Sequence, residues 1–473
     1  MNNSSIQRRS LLIGAGSALL APFSFVDAQP TAAEPAFLDD LERRTFAYFW
    51  ETTDPRTGLA LDRWPTPSFC SIAAVGFGLT AYTIGVQRAF VSRAQALERV
   101  LNTLSFFRDA PQGPEAAGKT GHRGFFYHFL DVKTGTRYRD CELSTIDTAL
   151  LLAGMLSVQA FFDGNDEREV RVRRLVDEIY ARVDWAWASP RAPLVCHGWK
   201  PEVGLFDHDW HAYDESQILY LLALGSPDKA LGPEAYAAWA TGLSSSWGEA
   251  YGQQFCRFGP LFGHQFTQCW ADLRGVQDEF MRGKKLDYFE NSRRATWAQR
   301  AYAIANPAGW RGYGEKLWGV TASDGPADLE REIDGRKRRF IGYGGRGVNG
   351  EHPPIDDGTL APYAAGASMA FAPEICLPAL MEMKARYGEH LYQRYGFVDC
   401  FNPSFDFPGA TSRSGTVVPG LGWFNRDYLG IDQGPMLAML GNHRGELVWS
   451  HMRKSEHLRK GLLKAGFRGG WLG

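Results

Sequence analysis

The sequence predicts an all-α fold, an (α/α)6 barrel in which six pairs of outer and inner helices close into a ring. Apolar residues recur at helical spacing along most of the chain, and the alternation typical of strands is scarce. Segments that are apolar on one face alternate with segments that are apolar nearly all round. The connections from an amphipathic segment to the next apolar segment are long, and those from an apolar segment to the next amphipathic segment are very short.

The two kinds of predicted helix follow each other along the chain in six pairs. An amphipathic helix covers a core from outside, whereas a helix that is apolar on every face must be buried. The outer segments are 36–50, 92–108, 165–187, 232–243, 287–306 and 373–387. The inner segments are 69–87, 143–162, 213–225, 264–274, 360–371 and 432–441. A last charged helix, 447–463, is expected to pack on the end of the barrel.

The long connections all lead from an outer helix to the N-terminal end of the next inner helix. They are 110–142, 187–212, 307–359 and 388–431, and they are rich in Gly, aromatic and charged residues. Long loops inside a compact domain are usually functional, so the face that carries them should hold the site. Because no interior linker is visible, residues 29–473 are expected to form a single domain.

The first 28 residues have the pattern of a twin-arginine signal peptide. Arg8 and Arg9 precede a short apolar stretch that ends in the small-residue pattern Val26-Asp27-Ala28. No later run is long and apolar enough to cross a bilayer. The mature protein is therefore expected in the periplasm or outside the cell, without stable insertion in a membrane.

Composition narrows the class of partner. The formal net charge is −2 and no basic stripe is present, which argues against nucleic acid. Seven scattered cysteines without a C-x-x-C pair predict neither a disulfide framework nor a zinc motif. Aromatic residues make up 13% of the chain; their rings stack on sugars, although a large aromatic core would have the same composition.

Carboxylates stand where three of the predicted inner helices begin. In YRDCELSTIDT, Ser144 and Asp147 match a capping box, so Asp147 is either a helix cap or a substrate ligand. Asp140 and Glu142 precede that helix, and capping cannot explain both.

Carboxylates also stand at the starts of two further predicted inner helices. In YDESQ, Asp214 suits an N-cap whose box Gln217 closes, and Glu215 could complement the helix dipole. Asp432 precedes the last inner helix, where Pro435 fits the first turn. Three inner helices would thus bring carboxylates to one rim.

The candidate substrate ligands around this rim are mostly aromatic: Trp199, Trp210, Tyr213, Trp423 and Tyr428. We add His211 and Asp214, and also Asp357, which otherwise only caps the inner helix that follows it. No histidine spacing matches a metal motif, so neither a metal nor a cofactor is expected.

Clustered carboxyl groups beside aromatic rings suit the cleavage of glycosidic bonds. One carboxyl group donates a proton to the leaving oxygen, and a second one activates water or attacks carbon. In inverting enzymes the two stand about 6.5–9.5 Å apart, a separation that two helices of a barrel mouth can provide. Burial and like-charged neighbours raise the pKa that a proton donor needs.

Five stretches carry a resemblance to a known family: FLDDLERRTFAYFWETTDPRTGLALDR, GFFYHFLDVKTGTR, YRDCELSTIDTALLLAG, YDESQILYLLALGSP and APYAAGASMAFAPEICLPAL. Over about 36–460 the chain resembles the bacterial glycoamylase-like family. Characterised members belong to glycoside hydrolase family 144 and are inverting β-1,2-glucanases with an (α/α)6 barrel. The resemblance implies an exported hydrolase acting on β-1,2-glucan or its oligosaccharides.

The resemblance also implies that Asp140, Glu142, Glu215 and Asp432 line the cleavage subsites. Glu215 is then the general acid and Asp432 the leading candidate for the base, while Asp140 and Glu142 bind the reacting sugar. Which carboxyl group is acid and which is base stays open, as do endo or exo action and the oligomeric state.

Three other interpretations compete with this one. The first is a glucoamylase-like hydrolase of α-glucans on the same barrel, and the second is a polysaccharide lyase. The third is a non-catalytic glycan-binding protein, which would bind without turnover. Clustered carboxylates favour catalysis, because a lectin has less need of them.

Overall fold

The structure, a computed structural model, describes residues 33–333, 335–350, 354–410, 412 and 414–473. The signal peptide expected over 1–28 lies outside these residues. The α-helices are α1 Ala33–Thr52, α2 Ile72–Gln87, α3 Arg93–Asp109, α4 Thr145–Phe161, α5 Glu167–Ala181, α6 Gln217–Gly225, α7 Pro233–Ala240, α8 Leu243–Ser246, α9 Phe266–Trp270, α10 Glu279–Lys284, α11 Tyr288–Ala305, α12 Pro362–Gly366, α13 Pro373–Tyr387, α14 Gly430–His443, α15 Trp449–Met452 and α16 Glu456–Lys464.

The apolar and the amphipathic segments separate as expected. Helices α2, α4, α6, α9, α12 and α14 are buried along nearly their whole length, and α1, α3, α5, α7, α11 and α13 cover them. Among the buried helices, α2 contacts α4, α4 contacts α6, α6 contacts α9, and α9 contacts α14. Helix α14 also contacts α12 and α2. The prediction of a mostly helical chain is confirmed.

Two glycines let α2 and α4 approach each other backbone to backbone. A Cβ atom on Gly154 would lie 2.0 Å from the carbonyl oxygen of Gly76, and one on Gly76 would lie 2.4 Å from the carbonyl oxygen of Leu150. Neither position has room for a side chain. This close packing sets the N-terminal ends of the two helices side by side.

The prediction of an all-α chain is wrong in one respect, because the loops contain short strands. They pair antiparallel in sheets of two or three. The strands are β1 Arg63–Trp64, β2 Cys70–Ser71, β3 Gly121–His122, β4 Phe125–Phe126, β5 Phe129–Leu130, β6 Leu143–Ser144, β7 Gly198–Lys200, β8 Gly204–Leu205, β9 Trp247–Ala250, β10 Gln253–Cys256, β11 Ala322–Asp324, β12 Leu329–Ile333, β13 Arg336–Phe340, β14 Tyr343–Gly345, β15 Tyr392–Gln393, β16 Gly396–Phe397, β17 Phe401–Asn402, β18 Thr416–Val418, β19 Gly422–Phe424 and β20 Tyr428–Leu429.

Three of these strands run directly into buried helices. Strand β2 precedes α2, β6 precedes α4, and β20 precedes α14. They pair with β5, β7 and β1, respectively. The backbone pairing therefore fixes where three inner helices begin, and with it the direction of the residues at their first turns.

Several predicted helices are shorter than expected or divided; the predicted segment 360–371, for example, holds only α12, Pro362–Gly366. The segment 264–274 holds the five-residue helix α9, because Asp272 beyond its end accepts hydrogen bonds from the backbone and side chain of Arg274. The segment 447–463 is divided into α15 and α16, because Ser455 caps a new helix by accepting the N–H of Leu458. No helix in the described ranges has the length and apolar composition needed to cross a membrane.

Candidate active site

A cavity of about 670 Å³ lies at the N-terminal ends of α2, α4, α6 and α14, on the face that carries the long loops. Carboxyl groups and aromatic rings share its wall. The carboxyl groups are Asp62, Glu142, Asp147, Glu215, Asp324 and Asp432. The rings belong to Phe69, Phe129, Phe206, Trp210, Phe262, Phe266, Tyr343 and Tyr363.

The start of α4 presents Glu142 and Asp147 to this cavity. Ser144 caps the helix by accepting the N–H of Asp147 at 3.2 Å, as the capping box predicts. Its hydroxyl also donates to the Asp147 carboxylate. Asp147 is therefore part of the helix cap and of the cavity wall at once, so the two interpretations of this residue do not exclude each other.

His128 lies between these two carboxylates. Its Nδ1 is 2.7 Å from Glu142 Oε1, and its Nε2 is 3.5 Å from Asp147 Oδ1. Burial lowers the pKa of His128, but the two carboxylates outweigh it and raise that pKa to about 9. Burial raises the pKa of Glu142, but His128 outweighs it and lowers that pKa to about 2. Glu142 is ionised at neutral pH.

Glu215 faces the cavity directly before α6, whereas its neighbour Asp214 turns away. The Asp214 carboxylate accepts the N–H of Ser216 at 2.8 Å and also its hydroxyl. The predicted N-cap at Asp214 is wrong, because Ser216 occupies that position and makes no capping bond with its side chain. Burial and the charges of Asp214 and Asp147 raise the pKa of Glu215, so this group holds its proton at neutral pH.

Asp432 lies inside the first turn of α14, which begins two residues earlier than expected, at Gly430, and continues through Pro435. Burial and the like charges of Asp399 and Asp324 raise the pKa of Asp432 well above its usual range. Asp399 adjoins Asp432, and burial and the charge of Asp324 raise the pKa of Asp399 to about 6, so the two carboxyl groups compete for one proton. Asp432 Oδ2 has no hydrogen-bond partner among the described residues.

One arginine balances part of this negative charge. Arg63 lies 2.7 Å from Asp324, 3.1 Å from Asp62 and 3.7 Å from Asp427. Strand β1 holds it there, because Arg63 pairs with Leu429 directly before α14. In the ranges that the structure describes, no three His, Cys, Asp or Glu side chains are arranged to hold a metal ion.

Trp210 is the predicted aromatic ligand that lines the cavity. Its indole stacks on His197, with ring centroids 3.8 Å apart, and its Nε1 donates to Thr145 Oγ1 at 3.0 Å. Together these contacts fix the ring against the wall, where a flat apolar face can meet a sugar.

The structure does not place the other predicted ligands on the cavity wall, because each is exposed or makes contacts elsewhere. Asp140 is exposed, and His211 bonds Thr241 at 3.0 Å on the surface. Trp199 stacks on His122 with centroids 4.9 Å apart.

Tyr213, Asp357, Trp423 and Tyr428 are buried. The Tyr213 hydroxyl lies 3.1 Å from His264, and Asp357 forms an ion pair with Arg346 at 2.6 Å. Trp423 donates to the Ser414 carbonyl at 2.7 Å, and Tyr428 packs between Trp64 and Tyr395. Their positions in the sequence placed them near the rim, but tertiary contacts direct their side chains away from it.

Several residues of the site were not singled out from the sequence: Asp62, Arg63, His128, Asp324, Tyr343 and Asp399. Asp62, Arg63 and His128 lie in stretches that carry the family resemblance, which is a signal. Asp324, Tyr343 and Asp399 come from the connections 307–359 and 388–431, where no helical period indicates which side chain faces inward.

A family model described as "Glycoamylase: Putative glucoamylase" matches residues 207–456. The curated relative is an exo β-1,2-glucooligosaccharide sophorohydrolase (non-reducing end) from Parabacteroides distasonis, 26% identical over 459 residues. The match covers 90% of this chain and 57% of that protein, so the chain spans little more than half the length of its relative.

Solved structures resemble the chain over nearly its whole length. One is a putative glucoamylase from Bacteroides uniformis, 28% identical, with a TM-score of 0.78, covering 94% of this chain and 100% of that one. Another is the endo-β-1,2-glucanase from Chitinophaga pinensis in complex with sophorotriose and glucose, 25% identical, with a TM-score of 0.77, covering 93% and 100%.

Proposed function

The chain belongs to the glycoamylase family, and on that premise we propose that it is a glycoside hydrolase that cleaves β-1,2-glucan or its oligosaccharides with inversion. The observation that carries the proposal is one cavity whose wall brings together two carboxyl groups with raised pKa values from different helix starts, Glu215 and Asp432, the latter with Asp399 as its neighbour. The substrate follows the sophorohydrolase of Parabacteroides distasonis and the glucanase of Chitinophaga pinensis.

Glu215 is the proposed general acid. It holds a proton at neutral pH because burial and neighbouring carboxyl groups disfavour its charged form. A group in this state can protonate the glycosidic oxygen as the bond breaks. Asp214 is the nearest charge to it and is held in place by Ser216.

Asp432 is the proposed base, acting as one half of its pair with Asp399. Because the two carboxyl groups adjoin each other, they should hold one proton and one charge between them, and that charge can attract the proton of an attacking water. The pKa of Asp432 is raised, so it acts as base while Asp399 holds the proton, and its carboxylate is then a stronger base than an ordinary aspartate. The free Oδ2 of Asp432 is available for that contact.

The remaining wall is proposed to bind the sugar. Ionised Glu142 accepts hydrogen bonds from sugar hydroxyls, as does the Asp147 carboxyl group, and the fixed indole of Trp210 supports a ring face. The sequence-derived role of Asp140 at the reacting subsite would need this exposed side chain to move.

We further propose that the mature chain is a single domain with a closed (α/α)6 barrel, supported by the order of contacts among its buried helices. Residues 1–28 are proposed to direct twin-arginine export to the periplasm or the medium. Replacement of Arg8 and Arg9 by lysine should then leave the protein in the cytoplasm.

Product analysis tests the function directly. The purified mature protein is incubated with linear β-1,2-glucan and, separately, with soluble starch, and the products and their first anomer are read by chromatography and NMR. Sophorose or short β-1,2-oligosaccharides released as the α-anomer are expected. Glucose from starch alone would favour the α-glucan hydrolase, and a double bond absorbing in the ultraviolet would favour the lyase.

A further inference from the structure

His128 faces the cavity but takes part in neither proposed proton transfer. It stands between β4 and β5 and reaches toward the start of α4. Both ring nitrogens are directed at carboxylates, Glu142 at 2.7 Å and Asp147 at 3.5 Å. Such a placement needs an explanation, because a neutral imidazole has a single N–H donor and can satisfy only one of the two carboxylates.

The imidazole is held on every side. Its ring stacks on Phe129 with centroids 3.9 Å apart and an interplanar angle of 21°. The backbone N–H of His128 donates to the Glu142 carbonyl at 2.9 Å, and its carbonyl accepts the N–H of Ile72 at 3.2 Å. The main chain therefore fixes His128 to the same residue whose carboxylate its ring contacts.

We propose that His128 is a positioning residue: held between Glu142 and Asp147, its imidazolium keeps Glu142 ionised and oriented toward the sugar, so that Glu215 alone carries the proton on this part of the wall. The proposal rests on the proposed function, since it assigns His128 a role in that site. The ring touches no scissile bond and acts through Glu142.

The charges around His128 support this role. Glu142, Asp147 and Asp62 face it with negative charge, and Lys200 adds a weaker positive charge near Glu142. The pKa of His128 is raised to about 9, so the imidazolium persists at neutral pH and is lost only as the pH rises through that value. Without this cation, Glu142 and Asp147 would repel each other, and the pKa of Glu142 would rise.

A titration by NMR tests whether the two carboxylates hold His128 as an imidazolium, and it needs no turnover. In the wild-type protein, the His128 imidazole should titrate at least one unit above the ordinary value of about 6.5, and Glu142→Gln should lower its pKa by about one unit or more. A wild-type His128 that titrates near its ordinary value overturns the inference. Because no substrate is involved, this outcome is independent of whether the glucan is cleaved.

A second NMR titration tests the consequence. In His128→Gln the Glu142 carboxyl should titrate about one pH unit or more higher than in the wild type, because it has lost its neighbouring cation. His128→Lys keeps a cation and should restore most of the shift. A Glu142 pKa that stays in place in His128→Gln while kcat falls would show a merely structural role and overturn the proposal.

His457→Gln is the matched control. This histidine also contacts a carboxylate, Asp177 at 2.9 Å, but it lies between α16 and α5, away from the cavity. Its replacement should leave the pKa of Glu142 unchanged, whereas an equal shift would mean that the effect reflects the loss of any histidine–carboxylate pair.

Discussion

The first turns of α4 and α14 both present carboxyl groups to the same cavity, yet their electrostatic surroundings are opposite. At α4, Glu142 meets the cation of His128, and its pKa falls to about 2. At α14, Asp432 meets another carboxyl group, Asp399, and its pKa rises. Burial raises the pKa in both places, so the nearest partner decides which group keeps a proton.

This difference divides the cavity wall electrostatically. On the α4 side ionised Glu142 suits the proposed binding of sugar hydroxyls, while on the α14 side the raised pKa of Asp432 suits the proposed transfer of a proton. Glu215 lies before α6 with Asp214 and Asp147 as its acidic neighbours, and its raised pKa resembles that of Asp432. The same residue type thus performs different tasks according to what lies beside it.

The largest expected effect follows from removing the proposed proton donor. Glu215→Gln keeps the shape of the side chain but cannot supply a proton, so kcat on β-1,2-glucan should fall by about 10²–10⁴-fold. Steady-state assays beside Glu178→Gln, on the outer helix α5, provide the comparison, and the control should match the wild type. Retention of a tenth or more of the activity would exclude Glu215 as the general acid.

A smaller loss is expected on the α14 side. Asp432→Asn removes the proton acceptor and should lower kcat by about 10²-fold. Asp399→Asn leaves Asp432 with an amide donor, which lowers the pKa of Asp432 and should move the acidic limb of the pH profile downward. If Asp399→Asn were inert in both rate and profile, the two carboxyl groups would not act as a pair.

The sequence predicted the helices that carry these carboxyl groups more fully than the contacts that those groups make. Helical spacing located the six buried segments, and Ser144 with Asp147 announced the cap of α4. Glu142, Glu215 and Asp432 were found because carboxylates stand at the start of three apolar helices on one face, where a single such placement would be ordinary. Local patterns of this kind can be recognised in the sequence, because they depend on residues only three or four positions apart.

The partners of these carboxyl groups could not be predicted from the same patterns. Asp399 reaches Asp432 from a connection without a regular period, and Arg63 reaches Asp324 across 261 positions of the chain. The direction of Tyr428 in β20 likewise depends on its pairing with β1. Such contacts depend on tertiary structure, so the protonation states that they determine were out of reach.

The smallest expected effects are on folding stability, and their sign should differ between a variant on the α4 side and a variant on the α14 side of the cavity. The pKa of Glu142 is lowered and that of His128 raised, so their pairing stabilises the fold above the ordinary pKa of glutamate, about 4.3, and is lost as the pH rises through about 9. Glu142→Gln should therefore cost about 1 kcal/mol near pH 6, a modest value because the side chain is partly exposed, and less toward about pH 9. Chemical denaturation at both pH values measures the difference.

Asp432→Asn should do the opposite. The raised pKa of Asp432 means that the folded protein binds a proton that the unfolded chain has released, so wild-type stability declines as the pH rises above the ordinary aspartate pKa, about 3.9. An amide in its place donates to Asp399 without that penalty. The variant should equal the wild type near about pH 4 and exceed it by about 1 kcal/mol near pH 8. Variants that lose stability equally at every pH on both sides would contradict the contrast between α4 and α14, because loss of a cation pairing must destabilise the fold, whereas relief of a buried carboxyl pair must stabilise it.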